Sequence, residues 1–167
     1  LSFAPVLDVN GISEVIGKRS FSPKPDEVAT LAEAFISGMQ QAGMAAVGKH
    51  FPGHGDTETD SHLTLPTINF NEQRIDSVEL FPYREMIKQG LSSVMVAHLN
   101  VPALEKRKKF PSSISKAIVT DLLQNDLNFQ GLIFTDALNM KGASNFKKPG
   151  EIDLAAFLAG NDVLLFA

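Results

Sequence analysis

The chain has 167 residues, 44% of them hydrophobic, with a formal net charge of −4 and no cysteine. That length predicts one domain with a sizeable core. The acidic balance gives no electrostatic footprint for nucleic acid or an anionic membrane, and the missing cysteines rule out disulfides and thiolate metal sites while fitting either redox compartment. No segment approaches the roughly 20 apolar residues of a membrane span, and no signal-peptide pattern opens the chain.

Short apolar runs, β-branched or aromatic and bounded by polar or turn residues, predict strands at Phe3 to Val9, Met44 to Val47, Ser93 to Ala97, Leu132 to Phe134 and Val163 to Phe166. The first run starts without an initiator Met, already inside a strand-like stretch, so the chain reads as a piece of something longer. Helical patterns lie between the runs. Val28, Leu31, Ala32, Phe35 and Met39 make one apolar stripe, with Asp26 and Glu27 complementing the first-turn dipole; Ile118, Leu122, Leu123 and Leu127 make another. Asn71 fits an N-cap, Pro82 the start of a further helix, and Gly90 an αL cap at its end. Strands that alternate with helices and are apolar on both faces predict a parallel α/β sheet. About five βα units are too few for a closed eight-stranded barrel and enough for most of one. The charged run Glu105-Lys106-Arg107-Lys108-Lys109 reads as a solvated loop.

Two stretches carry the chemistry. After the second strand, Pro52, Gly53 and Gly55 break regular structure and leave His50, His54 and His62 in an irregular segment. Asp60 and His62, two apart, point the same way if the segment is extended, and a carboxylate there would fix the imidazole tautomer and raise its pKa towards neutrality. A surface Asp-Ser-His turn capped by its own side chains is the plain alternative. A metal site built from the three histidines with Asp56 and Asp60 is a further one, but the spacing matches no helical H-x3-H pair and the glycines deny it a rigid frame. The second stretch presents Asp136 beyond Phe134, as an active-site carboxylate or as the N-cap of the next helix. Lys49 and His50 end the second strand and His98 the third, so several strand ends bring polar groups together.

The runs Phe3 to Asn10, Val15 to Phe21, Lys49 to His62 and Thr135 to Met140 resemble the bacterial β-N-acetylglucosaminidase branch of glycoside hydrolase family 3, and the K-H-F-P-G-H-G-D-T…D-S-H block is the most specific part. The resemblance covers essentially the whole chain. It implies a (β/α)8 TIM-type barrel, here incomplete, with residues 1–167 forming a single partial catalytic domain. It implies retaining hydrolysis of terminal β-N-acetylglucosamine from cell-wall-derived or related glycosides, with no cofactor and no metal. Asp136 would be the nucleophile, Asp60 and His62 the acid/base dyad, and Arg19, Lys49 and His50 would bind the sugar. Asp8, His54 and His98 would stand behind them. Such a mechanism needs a nucleophile on one face of the anomeric carbon and a proton donor on the other, here a histidine instead of the usual second carboxyl.

The chain departs from the family pattern in lacking about two upstream βα units, with a sugar-gripping Asp, and in a short stretch between Asn10 and Val15. Two other readings follow. A family 3 β-glucosidase or other hexosidase is opposed by Asp60-Ser61-His62, since those enzymes take their acid/base residue from elsewhere. A truncated, non-catalytic sugar-binding module fits every motif.

Overall fold

The computed structural model describes residues 1–57, 64–146, 148 and 150–167. Three parallel strands form the sheet, β1 (Val47–Phe51), β2 (Ser93–Val96) and β3 (Leu132–Thr135), in that order. The two outer runs expected as strands contribute only isolated parallel bridges: Ser2 to Ala46 and Val6 to Lys49 on one side, Phe134 to Val163 on the other. Pro5 removes a ladder donor from the first of these runs. The α/β class and the parallel arrangement are as expected, but the five strand-like runs reduce to three strands with a bridged segment at each edge.

β1 also differs from expectation. It starts at Val47 and runs through Lys49 and His50 to Phe51, one residue past the expected Lys49-His50 end, whereas the apolar run itself covers Met44 to Val47. The cause is local: polar residues at a strand's C-terminal end that face a cavity break the apolar run without ending the strand. Its ladder is irregular, because Lys49 pairs with Met95 but Phe51 pairs with Val96, leaving His50 as an extra residue.

The helices that build the main core pack against one face of the sheet. α1 (Pro25–Gln41) opens with a proline in its first turn followed by Asp26 and Glu27. Its buried line is Val28, Ala29, Ala32 and Ile36, while Leu31 and Phe35 of the expected stripe are 48% and 43% exposed. α2 (Glu72–Ser77) is capped by Asn71, whose side chain accepts from Arg74 N–H at 2.8 Å, and α3 (Phe81–Lys88) has Pro82 in its first turn. Gly90 follows α3 at φ +81°, the αL position expected for it. The second expected stripe forms a π-helix, Ala117–Asp126, whose wide final turn closes with Leu127 N–H donating to Leu122 O at 2.9 Å. Two short helices follow β3, α4 (Lys141–Ser144) and α5 (Glu151–Ala159).

The main core lies between sheet and helices. It joins Phe51, Val94, Val96 and Ile133 to Ala32, Ile36, Tyr83, Met86, Ile118 and Leu123. The opposite sheet face carries a small cluster, Val47, Met95 and Phe134, with Val163 and Leu165 against it. A third cluster sits under α4 and α5 around Leu138, Ile152 and Ala156. The run from Glu105 to Lys109 is not uniformly solvated. Glu105 is buried, takes hydrogen bonds from Arg107 Nε and Nη2, and accepts from Ser115 Oγ at 2.5 Å, so it ties that loop to the start of the π-helix. Among the described residues no helix is long and apolar enough to cross a membrane.

Candidate active site

A cavity of about 310 Å³ opens where the parallel strands end, which is where α/β proteins place their ligands. Five of the residues singled out in the sequence line it: Arg19, Lys49, His50, His54 and Asp136. They arrive from four stretches of the chain.

Lys49 and His50 are consecutive in β1, where regular pleating would send them to opposite faces. The irregularity at His50 lets both reach the cavity. Beneath them lies Asp8, fully buried. Its Oδ2 is 2.7 Å from His50 Nδ1, and its Oδ1 accepts from the backbone N–H groups of His50 at 3.1 Å and His54 at 2.7 Å. Burial alone would push the Asp8 carboxyl up, but the charge and hydrogen bond of His50, with His54 adding to both, hold it below its ordinary value. Asp8 is therefore an anion that fixes His50 and the start of the next loop. It does not line the cavity.

His54 is carried in by that loop and stands on the cavity wall itself. Thr57 Oγ1 lies 2.6 Å from its Nδ1 and 2.9 Å from its carbonyl oxygen, fastening ring and backbone together. Burial lowers its pKa against the opposing pull of Asp8, so the ring is neutral at pH 7. Lys49 is half-buried, and burial together with the nearby Arg19 charge lowers its pKa, while Asp136 and Asp8 act in the other direction. These four groups thus share one electrostatic neighbourhood.

Arg19 belongs to a short 3-10 turn, Gly17–Arg19. Asn10 folds the preceding loop by accepting from Ser13 N–H at 2.8 Å and donating to Gly17 O at 3.1 Å. Arg19 Nη2 donates to Val15 O at 2.8 Å.

Asp136 follows β3 directly. Its backbone N–H donates to Val96 O, and its Oδ1 accepts from Ala137 N–H, both at 2.8 Å. It is not the N-cap of the next helix, a position held by Met140. His98 stands behind it, two residues past the end of β2, fully buried and outside the cavity lining. His98 Nε2 is 2.9 Å from Ala137 O and Nδ1 is 2.7 Å from Ser113 Oγ. A carbonyl only accepts, so Nε2 carries the proton and holds the residue that follows Asp136. Asp60 and His62 lie outside the described residues.

Patterning did not single out the apolar part of the wall, which includes Phe3, Met95, Met140 and Phe166. Nor did it find Arg74, which joins two carboxylates from other parts of the chain. No signal in the sequence marks those contacts, because none recurs at a regular spacing. A cavity with two cations, a carboxylate and two histidines on an apolar floor suits a polar, hydroxyl-bearing ligand.

The comparisons with known proteins point to one family. The chain belongs to glycosyl hydrolase family 3, whose N-terminal domain matches residues 1–167. It is 48% identical over 166 residues to a β-hexosaminidase from Shewanella frigidimarina, which covers 99% of this chain and 48% of that protein. The chain spans about half the length of the curated relatives it matches. Among solved structures it resembles a glycoside hydrolase family 3 β-N-acetylglucosaminidase from Paenibacillus sp. str. FPU-7, with TM-score 0.94 and 43% identity over 98% of this chain and 31% of that one. It also resembles NagZ from Neisseria gonorrhoeae in complex with N-trifluoroacetyl-D-glucosamine, with TM-score 0.87 and 39% identity over 98% of this chain and 46% of that one.

Proposed function

We propose that the chain carries the sugar-binding and nucleophilic half of a retaining, exo-acting β-N-acetylglucosaminidase, within a larger (β/α)8 barrel of which residues 1–167 are one part. The observation that carries this reading is the single cavity that gathers Arg19, Lys49, His50 and His54 with Asp136 at the end of β3. The names of the relatives, β-hexosaminidase and β-N-acetylglucosaminidase, support the choice of an N-acetylated sugar. Bridged rather than fully laddered segments at both edges of the sheet support an arc that continues into further strands.

In this reading Asp136 attacks the anomeric carbon and forms a covalent glycosyl-enzyme. His62, oriented by Asp60, protonates the departing glycosidic oxygen and, once neutral, activates the water that releases the sugar. Asp60 stabilises the imidazolium as the carboxylate does in a Ser-His-Asp triad. Arg19 and Lys49 donate charge-assisted hydrogen bonds to sugar hydroxyls, and His50, locked by Asp8, adds a directional one.

The test is release of p-nitrophenol from the N-acetyl-β-glucosaminide and the β-glucoside, by this chain and by the longer native polypeptide that carries it. Preference for the N-acetyl sugar upholds the reading. Preference for the glucoside replaces it with a glucosidase, and binding without turnover by the longer protein replaces it with a sugar-binding module.

A further inference from the structure

Arg74 lies on α2, does not line the cavity, and has no part in the chemistry above. Yet it is the hub of a three-residue ion cluster. Its Nη1 donates to Glu79 Oε1 and Oε2 at 2.8 and 2.7 Å, and its Nη2 donates to Asp56 Oδ2 at 2.5 Å. Its guanidinium stacks 4.8 Å from the centroid of the Phe70 ring. The Glu79 side chain is 2% exposed and that of Asp56 8%. Two carboxylates on one guanidinium, largely out of water, form a costly arrangement whose best-attested use is to specify geometry.

What the cluster specifies is the loop after β1. Asp56 Oδ1 also accepts from Gly11 N–H at 3.2 Å, and Gly55 O accepts from Ser13 N–H at 3.1 Å. The fit is close on both sides. A Cβ at Gly53, where φ is +138°, would stand 2.7 Å from Glu79 Cβ, and one at Gly55 would stand 1.9 Å from Val9 O. The backbone from Gly53 to Asp56 is therefore gripped between Glu79 with Arg74 on one flank and the Val9–Gly11 turn on the other. Within that grip, His54 projects into the cavity and donates its backbone N–H to Asp8.

We propose that Arg74 is a positioning residue for the hydrolytic site: by holding Asp56 it sets the path of the loop that places His54 on the cavity wall and that precedes Asp60 and His62 in sequence. The proposal rests on the glycosidase reading for its kinetic consequence, but not for its structural one. Among the described residues Arg74 makes no hydrogen bond or ion pair with a group lining the cavity, so its effect must pass through the backbone it restrains. Arg74 meets Glu79 through Nη1 and Asp56 through Nη2, so a lysine would have to reach both carboxylates from a single nitrogen.

The experiment compares Arg74→Met, Arg74→Lys and Asp56→Asn with the wild type, in the longer native polypeptide. Turnover is read on an alkyl and on a p-nitrophenyl N-acetyl-β-glucosaminide, and the ring resonances of His54 are read by NMR. Arg74→Met and Asp56→Asn should lower kcat on the alkyl glycoside by up to about 10²-fold. The loss on the aryl glycoside should be much smaller, KM should be little changed, and the His54 resonances should shift. Arg74→Lys should recover only part of the loss. Equal losses on both substrates with unshifted His54 resonances would overturn the proposal, leaving Arg74 with a general role in stability. Should Arg74→Met fail to fold, Asp56→Asn decides, since it keeps the side-chain shape and removes only the charge. His62→Ala separates the two readings: if it shows no leaving-group dependence the acid/base assignment fails, and the His54 resonances alone then judge Arg74.

Discussion

Asp8 Oδ2 lies 2.7 Å from His50 Nδ1, and the same carboxylate accepts the backbone N–H groups of His50 and His54 through its other oxygen. One fully buried side chain thus fixes a ring, the end of β1 and the start of the following loop. Replacing it by alanine strands two backbone donors and an imidazole N–H, at a cost of about 3–5 kcal/mol. Asp8→Asn restores one acceptor and should cost less. Urea titration of the two variants at pH 7 measures the difference.

The acid limb of stability follows from two carboxylates. Asp8 is held below its ordinary value of 3.8, and Arg107 and Ser115 hold Glu105 at about 2 against an ordinary 4.5. A depressed pKa means that the folded state binds its proton less tightly than the unfolded state does. The stabilisation is therefore complete above the ordinary values and is lost as pH falls through the folded ones. For Glu105 that window runs from 4.5 down to about 2. Melting temperature followed from pH 6 to pH 2 should fall more gently in Glu105→Gln than in the wild type.

Removing the proposed nucleophile and the proposed acid/base residue should give different signatures. Asp136→Ala should abolish turnover of every substrate. His62→Ala should lose about 10²–10⁴-fold on a glycoside with a poor leaving group and far less on an activated aryl glycoside, because only the former needs a proton. Steady-state kinetics on a matched pair of substrates reads this directly, and equal losses would contradict the role given to His62.

His98 offers a test of indirect placement. Its Nε2–H holds Ala137 O, the carbonyl next to Asp136. His98→Ala should lower kcat by up to about 10²-fold through a shift of that carboxylate, with KM little changed. His98→Gln, whose amide nitrogen reaches a similar place, should recover most of the loss. A circular dichroism melt of both variants separates misplacement from unfolding.

The polar part of the cavity wall was legible from residue order, because parallel strands put their ends together and the polar residues at those ends stand out against apolar runs. Lys49, His50 and Asp136 follow from that rule alone. Its limit shows in β1: the apolar run covers Met44 to Val47, whereas the strand is Val47 to Phe51, so the ladder begins where the run stops and ends one residue past Lys49-His50. α1 shows another limit. Leu31 and Phe35 fit the helical period, yet the face that packs is built from Ala29 and Ala32 with Val28 and Ile36, where small residues let the helix come close. Arg74 was illegible for a third reason. Its partners lie 18 residues before it and five after it, and nothing in the spacing of a charged loop announces which carboxylate it will meet.

The extra residue in β1 has a consequence for sequence change. With His50 unpaired, Val47 and Lys49 share the side of the sheet that holds Met95 and Phe134, while Phe51 turns to the helical side with Val94 and Val96. Losing one residue between Lys49 and Phe51 would regularise the strand and remove a cavity donor together. Losing one before Lys49, with the start of the strand held in register, would turn the ammonium to the helical side among aliphatic side chains. Point substitutions here are graded, but a single-codon deletion is all or nothing. A length change in this five-residue strand therefore alters the core and the cavity at once.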